Sequence, residues 1–528
     1  MEIKKNCFDY VILMIFEICA AYALFSGILF VGSSQTVPFL WYGGTICAFA
    51  IALILVLFIS GIKLSLSPSF ERQSIVIERA VVLAALLASA IIRIWVITKL
   101  PIAASSDYQT YYQVADLLAK GTLSSSGYSG YIAEFPHVIG YPFILSLLFR
   151  ITGPSVSVGL AINLAASLFS VLLTYRIART LCGRLAGLIA LMAAAFWPSQ
   201  ILYGTILASE PVFTCMLLLC IWLFIYLYRY PVSLGNREGS VFLSVLLGIL
   251  LALTSAVRPL SQIFLVALLF CLIPFVKKFN KNEQMLNGKV SRASCQGWFL
   301  SLVIVVSFFF CSQLISSSIS NTIAYKLPGS TVSFGYNLLV GVNIDAKGAW
   351  NQQDADFFAN VFAQTNSPEA AHRASLDAAL QRIGSNPVGV MNLAMEKFTF
   401  LWENDDYGKT WTTLFLDQQG NLTQERQNII NQFSQLNNLF YLLSIFFSAV
   451  LGFQLFRRKK SGPVQAMVLL FVGTVALHMV LESQNRYHYF MLPVFMILSS
   501  MAIANIYRNA RNQNKPFQAD LQKHDIKK

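Results

Sequence analysis

The sequence predicts an all-α polytopic membrane protein with about twelve transmembrane helices, outer interfacial helices and a small extracytoplasmic segment. Of 528 residues, 56% are hydrophobic and only 12% charged, with mean hydropathy +0.60. A soluble domain is about 25% charged, so a soluble globular protein is excluded. Apolar runs of about 20 residues recur from Val11 to Tyr507, each long enough to cross a hydrocarbon core of about 30 Å as a helix. Between the runs, basic residues cluster in alternate connections.

Taken in order, the spans fall at 11–31, 39–62, 79–99, 156–175, 184–200, 209–228, 240–257, 259–276, 298–319, 436–456, 464–482 and 489–507. Residues 1–76 hold two N-terminal spans, the first read as an uncleaved anchor because its apolar core exceeds that of a signal peptide. A transmembrane core follows over 77–319, then an extracytoplasmic segment at 320–435, the C-terminal helices at 436–507 and a basic tail at 508–528. The net charge of +13 is a topology signal rather than a nucleic-acid footprint. Arg176, Arg179 and Arg184, Lys277, Lys278 and Lys281, and the run Arg457-Arg-Lys-Lys460 all fall in loops that are cytoplasmic when both termini are inside. The nine cysteines lie in spans or inner segments, which argues against structural disulfides.

Two segments leave the bilayer on the outer side, 100–155 and 320–435. In the first, Tyr111 to Lys120 reads as a helix ended by Gly121, and Pro136 to Arg150 is apolar but too short to cross, which suits an interfacial helix. In the second, Ser367-Pro368-Glu369 starts a helix whose Leu376, Leu380 and Ile383 share one face. A stretch from Val388 to Trp402 carries Met391, Met395, Phe398 and Trp402 on a face suited to the membrane surface. The segment holds eleven acidic and seven basic side chains, unlike a polyanion binder.

The polar groups needing explanation sit at the outer ends of spans. Asp107 follows the third span and Asp116 lies in the same stretch; the bland alternative is solvated loop carboxylates. Glu210 opens a span, where a carboxylate also favours a helix N-terminus. Arg258 interrupts an apolar pair of spans at an outer turn and either meets a ligand anion or pairs with Glu210. Glu482-Ser-Gln-Asn-Arg-Tyr-His-Tyr489 packs the densest polar chemistry into one turn. There Arg486 can clamp a phosphate while Tyr487, His488 and Tyr489 hydrogen-bond its oxygens or a sugar, the alternative being an interfacial aromatic belt. The sequence firmly predicts no cofactor. A divalent metal among His478, Glu482, His488, His137 and Glu134 stays open, although no HExxH spacing is present. Walker A, GxSxG and Rossmann patterns are missing.

Ser106-Asp107-Tyr108, Phe135-Pro-His-Val-Ile-Gly-Tyr-Pro142, Asn163, Ala208-Ser-Glu210-Pro and Arg486-Tyr-His-Tyr489 resemble glycosyltransferase family 39 and its bacterial relatives. These include protein mannosyltransferases and the lipid A aminoarabinose transferase, and the similarity extends over about residues 77–507. The resemblance implies a GT-C fold with GT-C-like outer interfacial helices. It also implies inverting transfer of a sugar from a polyprenyl-phosphate donor to an acceptor hydroxyl on the outer side of the membrane. Asp107 would then be the base, and Glu210 would orient the acceptor or Asp107, or bind the sugar. Arg486 or Arg258, with Tyr487 and His488, would hold the donor phosphate. Asp116, Glu134, His137, Glu482 and Tyr489 are the remaining substrate-binding candidates. The expected partners are the polyprenyl-phosphate sugar, membrane lipids and a glycan, lipid or protein acceptor, with no nucleic acid, at a bacterial plasma membrane. The competing function is a secondary transporter or lipid-linked glycan flippase, although the acids gather at the outer face and no duplicated half is visible.

The basic loops make one labelling pattern the expected outcome. Single cysteines at Ser124 and Asn360, in a cysteine-free background, react with an impermeant thiol reagent in intact cells, and one at Ser461 does not. The reverse pattern inverts the topology.

Overall fold

In a computed structural model of the chain, the structure describes residues 3–4, 7–33, 68–229, 237–283, 291–328, 333–435, 437–457 and 460–525. Their order is α1 (Cys7–Ser33), α2 (Pro68–Lys99), α3 (Asp107–Lys120), α4 (Tyr128–Glu134), α5 (Gly140–Thr152), α6 (Val156–Cys182), α7 (Arg184–Ala195) and α8 (Pro198–Tyr203). Then come α9 (Glu210–Arg229), α10 (Arg237–Val257), α11 (Ser261–Glu283), α12 (Ser291–Ile323), α13 (Gly335–Gly341), α14 (Gln352–Thr365), α15 (Pro368–Ser385) and α16 (Pro387–Trp402). The chain closes with α17 (Tyr407–Gln418), α18 (Gln424–Ser434), α19 (Asn437–Arg457), α20 (Val464–Val480) and α21 (Leu492–Asp525). A two-residue β1 (Ile3–Lys4) pairs antiparallel with β2 (Lys460–Ser461), so the N-terminal end and the basic α19–α20 connection lie at one face of the bundle.

The protein is all-α and polytopic. Among the described residues eight helices are long and apolar enough to cross a membrane, or up to nine if one bent pair is a single span. Three further spans expected from the sequence, 184–200, 259–276 and 464–482, coincide with shorter apolar helices. The expected span at 39–62 lies outside the described residues. The first of the three breaks because Pro198 cannot continue a helix through Trp197. The buried guanidinium of Arg93 takes up the freed ends of α7, donating to the carbonyls of Ala195 at 2.8 Å and Ala194 at 3.4 Å. An intramembrane arginine thus meets backbone acceptors that lipid could not satisfy.

The bent pair α4–α5 turns through 111°, and the helices around it show that it does not cross. Glu78, near the start of α2, accepts from Tyr175 at 2.6 Å and Arg179 at 2.7 Å, near the end of α6. It also meets Arg184 at 2.9 Å. Therefore α2 and α6 run antiparallel, and residues 100–155 leave and re-enter the bundle at one face. The interfacial reading of 136–150 agrees with this arrangement. Gly140 starts α5 against α10: a Cβ there would lie 2.1 Å from the Ala256 carbonyl oxygen.

The same face carries α13–α18. Ser367 caps α15 by accepting from the Ala370 amide at 3.3 Å, as the sequence suggests, and of the expected face Leu376 and Ile383 pack partly buried beside Leu338, Leu339 and Val342 while Leu380 is exposed. The most buried positions of the helix are Ala371, His372, Ser375 and Ala379. Small residues win because α13 approaches so closely that a Cβ on Gly335 would sit 2.0 Å from the His372 carbonyl. In α16, Met391 and Met395 are exposed while Phe398 and Trp402 are buried, so the four do not form one membrane-facing stripe. Phe398 instead packs on Tyr22 of α1, with centroids 5.2 Å apart. The first N-terminal span is thereby seated against the same body as the C-terminal helices, where Phe16 packs 5.5 Å from Phe471.

Two buried polar fasteners hold this layer down. Lys397 donates to the carbonyls of Leu481 at 2.7 Å, Gly341 at 2.8 Å and Met479 at 3.2 Å, a cation placed at the C-terminal ends of α13 and α20, where helix dipoles favour it. Burial lowers its pKa to about 8. Asp405 accepts from Ser199 at 2.6 Å, Trp197 at 2.7 Å and His488 at 2.9 Å.

His372 provides a pH-dependent tie. A carbonyl only accepts, so Nε2–H donates to Glu134 at 2.8 Å, and Nδ1 accepts the Tyr336 amide at 3.4 Å. Acceptance of the Tyr336 amide needs the neutral ring, whereas the bond to the Glu134 carbonyl survives protonation. Burial lowers its pKa below the ordinary 6.5, so the contribution is present above that value and lost as pH falls through the folded-state pKa. Amide exchange over 333–385, corrected for intrinsic rate, accelerates in acid for the native protein, and this pH dependence disappears in His372→Gln. An unchanged profile would remove His372 from the docking of this layer.

Candidate active site

A cavity of about 670 Å³ opens where 100–155, α13–α14 and the turns after α10 and α20 converge. Asp107 is the first residue of α3, and Ser106 before it adopts φ 53° and ψ −136°, a sparsely populated region for a residue with a side chain. The strained turn lifts the Asp107 carboxylate into the cavity with 53% of its side chain exposed, where it accepts from Arg486 Nη2 at 3.0 Å.

Arg486 is only 5% exposed and lies in a 3-10 segment, Asn485–Met491, that feeds α21. Its other terminal nitrogen donates to the Tyr108 hydroxyl. Its guanidinium stacks 4.6 Å from the Trp411 ring centroid and 5.3 Å from that of Tyr108. Tyr108 and Tyr203 hydroxyls meet at 2.8 Å, and Tyr203 donates to Glu210 Oε1 at 3.0 Å. The same oxygen accepts from Arg258 Nη2 at 2.6 Å, while Arg258 Nε donates to Ser209 at 3.1 Å. A continuous polar relay therefore runs Asp107, Arg486, Tyr108, Tyr203, Glu210, Arg258, with Arg486 and Arg258 both lining the cavity.

Glu134, His137, Glu482, Gln484 and Tyr487 are among the other polar residues that line the cavity, with His478. Burial raises the Glu134 carboxyl to about 7 and also raises that of Glu482, to which Gln484 donates at 2.9 Å. Burial, with the nearby Arg258 and His372 charges, lowers His137 to about 4.

Four of the sequence-stated candidates fall elsewhere. Glu210 is 3% exposed and stands behind the cavity wall, tied to both arginines' network rather than presented to a ligand. Asp116 pairs with Lys120 at 2.6 Å on the surface. It lies nine residues beyond Asp107, a rotation of about 180° at 3.6 residues per turn. His488 is fully buried on Asp405 and packs against Trp402, Tyr407 and Tyr441. Tyr489 is buried on Tyr203 and Tyr407. The 3-10 winding explains His488, which at three residues per turn points about 240° from Arg486; Tyr489 follows Arg486 by one full turn and is kept from the cavity by Tyr203 and Tyr407 packed on it, so that only Arg486 and Tyr487 of this segment line the cavity. Among the described residues no three His, Cys, Asp or Glu side chains converge as a metal-binding group. Sequence reasoning missed Tyr203 and Trp411, which carry no local pattern, and passed over Tyr108 although it adjoins Asp107.

Residues 136–292 match the sequence profile of the family described as dolichyl-phosphate-mannose-protein mannosyltransferase, in line with the resemblance read from the motifs. No curated protein matches the chain. Among solved structures, the oligosaccharyltransferase of Archaeoglobus fulgidus, in complex with zinc and sulfate, is similar over 81% of this chain and 49% of its own. Identity there is 15% and the TM-score 0.43. ArnT from Cupriavidus metallidurans, bound to undecaprenyl phosphate, is similar over 82% of this chain and 78% of its own, at 13% identity and TM-score 0.29. The chain spans about half the length of the oligosaccharyltransferase it matches.

The close approach at Gly140 sets the position of Arg258, two residues beyond the carbonyl that a Cβ would strike. Gly140→Ala must push α5 from α10, because the obstacle is backbone. Thermal unfolding in detergent should show a lower midpoint, with a loss of about 1–3 kcal/mol, typical of overpacking. A variant as stable as the native protein would refute the contact.

Proposed function

We propose that the protein is an inverting membrane glycosyltransferase that moves a hexosyl or pentosyl group from a polyprenyl-phosphate donor to an acceptor hydroxyl on the outer face of the membrane. The observation that carries this reading is the half-exposed carboxylate of Asp107, held into a cavity whose wall also presents the guanidiniums of Arg486 and Arg258. Base and phosphate cradle thus share one space. The dolichyl-phosphate-mannose description of the matching family supports the lipid-linked donor, and the basic loops support an outer location for the cavity.

In this mechanism the acceptor oxygen attacks the anomeric carbon as its proton passes to Asp107. The bond from that carbon to the phosphate oxygen breaks, and the electron pair leaves with the lipid phosphate. Arg486 and Arg258 offset the charge that builds there. Arg486 is the stronger phosphate ligand because the carboxylate it meets is exposed and displaceable, whereas Arg258 is committed to the buried Glu210. Glu210 acts by fixing both cations and Tyr203. Glu134, His137 and Glu482 face the bound sugar or acceptor.

Transfer by purified protein in nanodiscs, with undecaprenyl-phosphate hexoses as donors, tests the reading. Asp107→Asn keeps the shape but loses the proton acceptor, so turnover falls by at least about 10²-fold while affinity for undecaprenyl phosphate survives. Near-native turnover would move the base elsewhere. Arg486→Ala should weaken undecaprenyl phosphate binding by about 1.5–3 kcal/mol, the scale of a hydrogen bond to a charged group. Arg486→Lys recovers part of this, lacking the planar fork. Arg258→Ala should instead lower thermal stability by stranding buried Glu210, a loss of about 3–5 kcal/mol. The opposite split would transfer the phosphate role to Arg258.

A further inference from the structure

The wall built by residues 478–487 carries hydrogen-bonding capacity that neither the base nor the phosphate cradle uses. His478 lines the cavity from the end of α20, is 6% exposed, and stacks 5.1 Å from the Tyr487 ring. Its Nδ1 lies 3.1 Å from the Glu482 carbonyl. That oxygen only accepts, so Nδ1 holds the proton, and in the neutral ring Nε2 is an acceptor. Nε2 is buried and has no hydrogen-bond partner among the described residues. Gln484, also on the cavity, repeats the arrangement: its Nε2 donates to Glu482 Oε1 at 2.9 Å, and its Oε1 is a buried acceptor without a partner.

An acceptor buried without a protein partner is unfavourable, and a hydroxyl donor entering from the cavity can meet both of these. We propose that His478 and Gln484 form a hydroxyl-recognising subsite that accepts hydrogen bonds from the hydroxyl groups of a sugar ring. The inference rests on the glycosyl-transfer reading and deepens it. A ligand rich in O–H groups satisfies both acceptors. Trp350 and Trp411 line the same cavity, which gives it the mixture of apolar lining and a few placed polar groups expected of a small-ligand site.

The hydroxyls can belong to the lipid-linked donor or to a sugar acceptor, and two binding arms separate these sources. Protein in nanodiscs is titrated with undecaprenyl phosphate and with its glucose, mannose and galactose conjugates. The undecaprenyl phosphate complex is then titrated with the three methyl hexosides. His478→Asn retains a donor at the Nδ1 position and lacks Nε2, whereas His478→Gln reaches the Nε2 position with an amide. The tightest sugar ligand of one arm should bind about 3- to 10-fold more weakly to His478→Asn, the scale of one net hydrogen bond, with partial recovery in His478→Gln. Undecaprenyl phosphate itself should change less than about twofold, which also certifies the fold of each variant. Selective loss in the first arm assigns the subsite to the donor, and in the second arm to the acceptor. Equal weakening of bare and sugar-bearing lipid, or no weakening of any sugar ligand, overturns the subsite while leaving glycosyl transfer standing. Failure of the native protein to bind undecaprenyl phosphate at all overturns the glycosyl-transfer reading, and the subsite with it.

Discussion

The structure around the cavity depends on one buried constraint: two guanidiniums and two carboxylates must be satisfied together. Glu210 Oε1 receives Arg258 at 2.6 Å and Tyr203 at 3.0 Å, while Arg486 reaches Asp107 at 3.0 Å and binds Tyr108. Desolvating such groups is unfavourable unless each charge finds a partner in good geometry. The relay therefore fixes the relative positions of α3, α8, α9, the turn after α10 and the segment entering α21. Asp107 is its only strongly exposed member, and that makes it the point where a ligand can enter the network.

The remaining architecture serves to keep those segments in register. Gly140 lets α5 touch the backbone just before Arg258, and Gly341 lets α13 touch the turn before Glu482, where a Cβ would come within 2.3 Å of the Val480 carbonyl. The amides of Glu482 and Ser483 then donate to Asn337 and Gly348 at 3.1 Å each. Lys397 gathers three carbonyls from the same junction. Behind it, Asp405 holds His488, Ser199 and Trp197. His488 lies two residues from Arg486, so this core network orients the arginine without touching the cavity. Backbone contact and buried polar bonds give the α13–α17 layer a rigid seat on the helices, the condition for a site built from loop residues to keep its geometry.

Much of this was legible in residue order, though unevenly. Asp107, Arg258, Arg486 and Glu482 stood out because charge at the end of an apolar run is unusual, Tyr487 by its place in the same polar turn, and Glu134 and His137 as possible ligand-binding groups, and all seven line the cavity. Asp116, His488 and Tyr489 were grouped with them by nearness in sequence, and nearness failed. A helical rotation turned the first away, the 3-10 winding turned His488 into the core, and the rings of Tyr203 and Tyr407 cover Tyr489. In α15 Leu376 and Ile383 pack as expected while Leu380 is exposed, and the deepest positions go to Ala371, His372, Ser375 and Ala379, because the short distance to α13 favours small side chains there.

By itself the sequence determined the all-α membrane-spanning class and the ends of the helices where chemistry gathers. Each of these follows from local composition: apolar run length against membrane thickness, and the cost of charge in hydrocarbon. Only the tertiary structure decided that Arg258 belongs to Glu210 and Arg486 to Asp107, that Tyr203 joins the two pairs, and that Lys397 and Asp405 anchor the layer above them. Those outcomes depend on directions and distances between segments tens to hundreds of residues apart. No local propensity encodes them, because burying a charge constrains which groups must meet without stating where in the chain its partner lies.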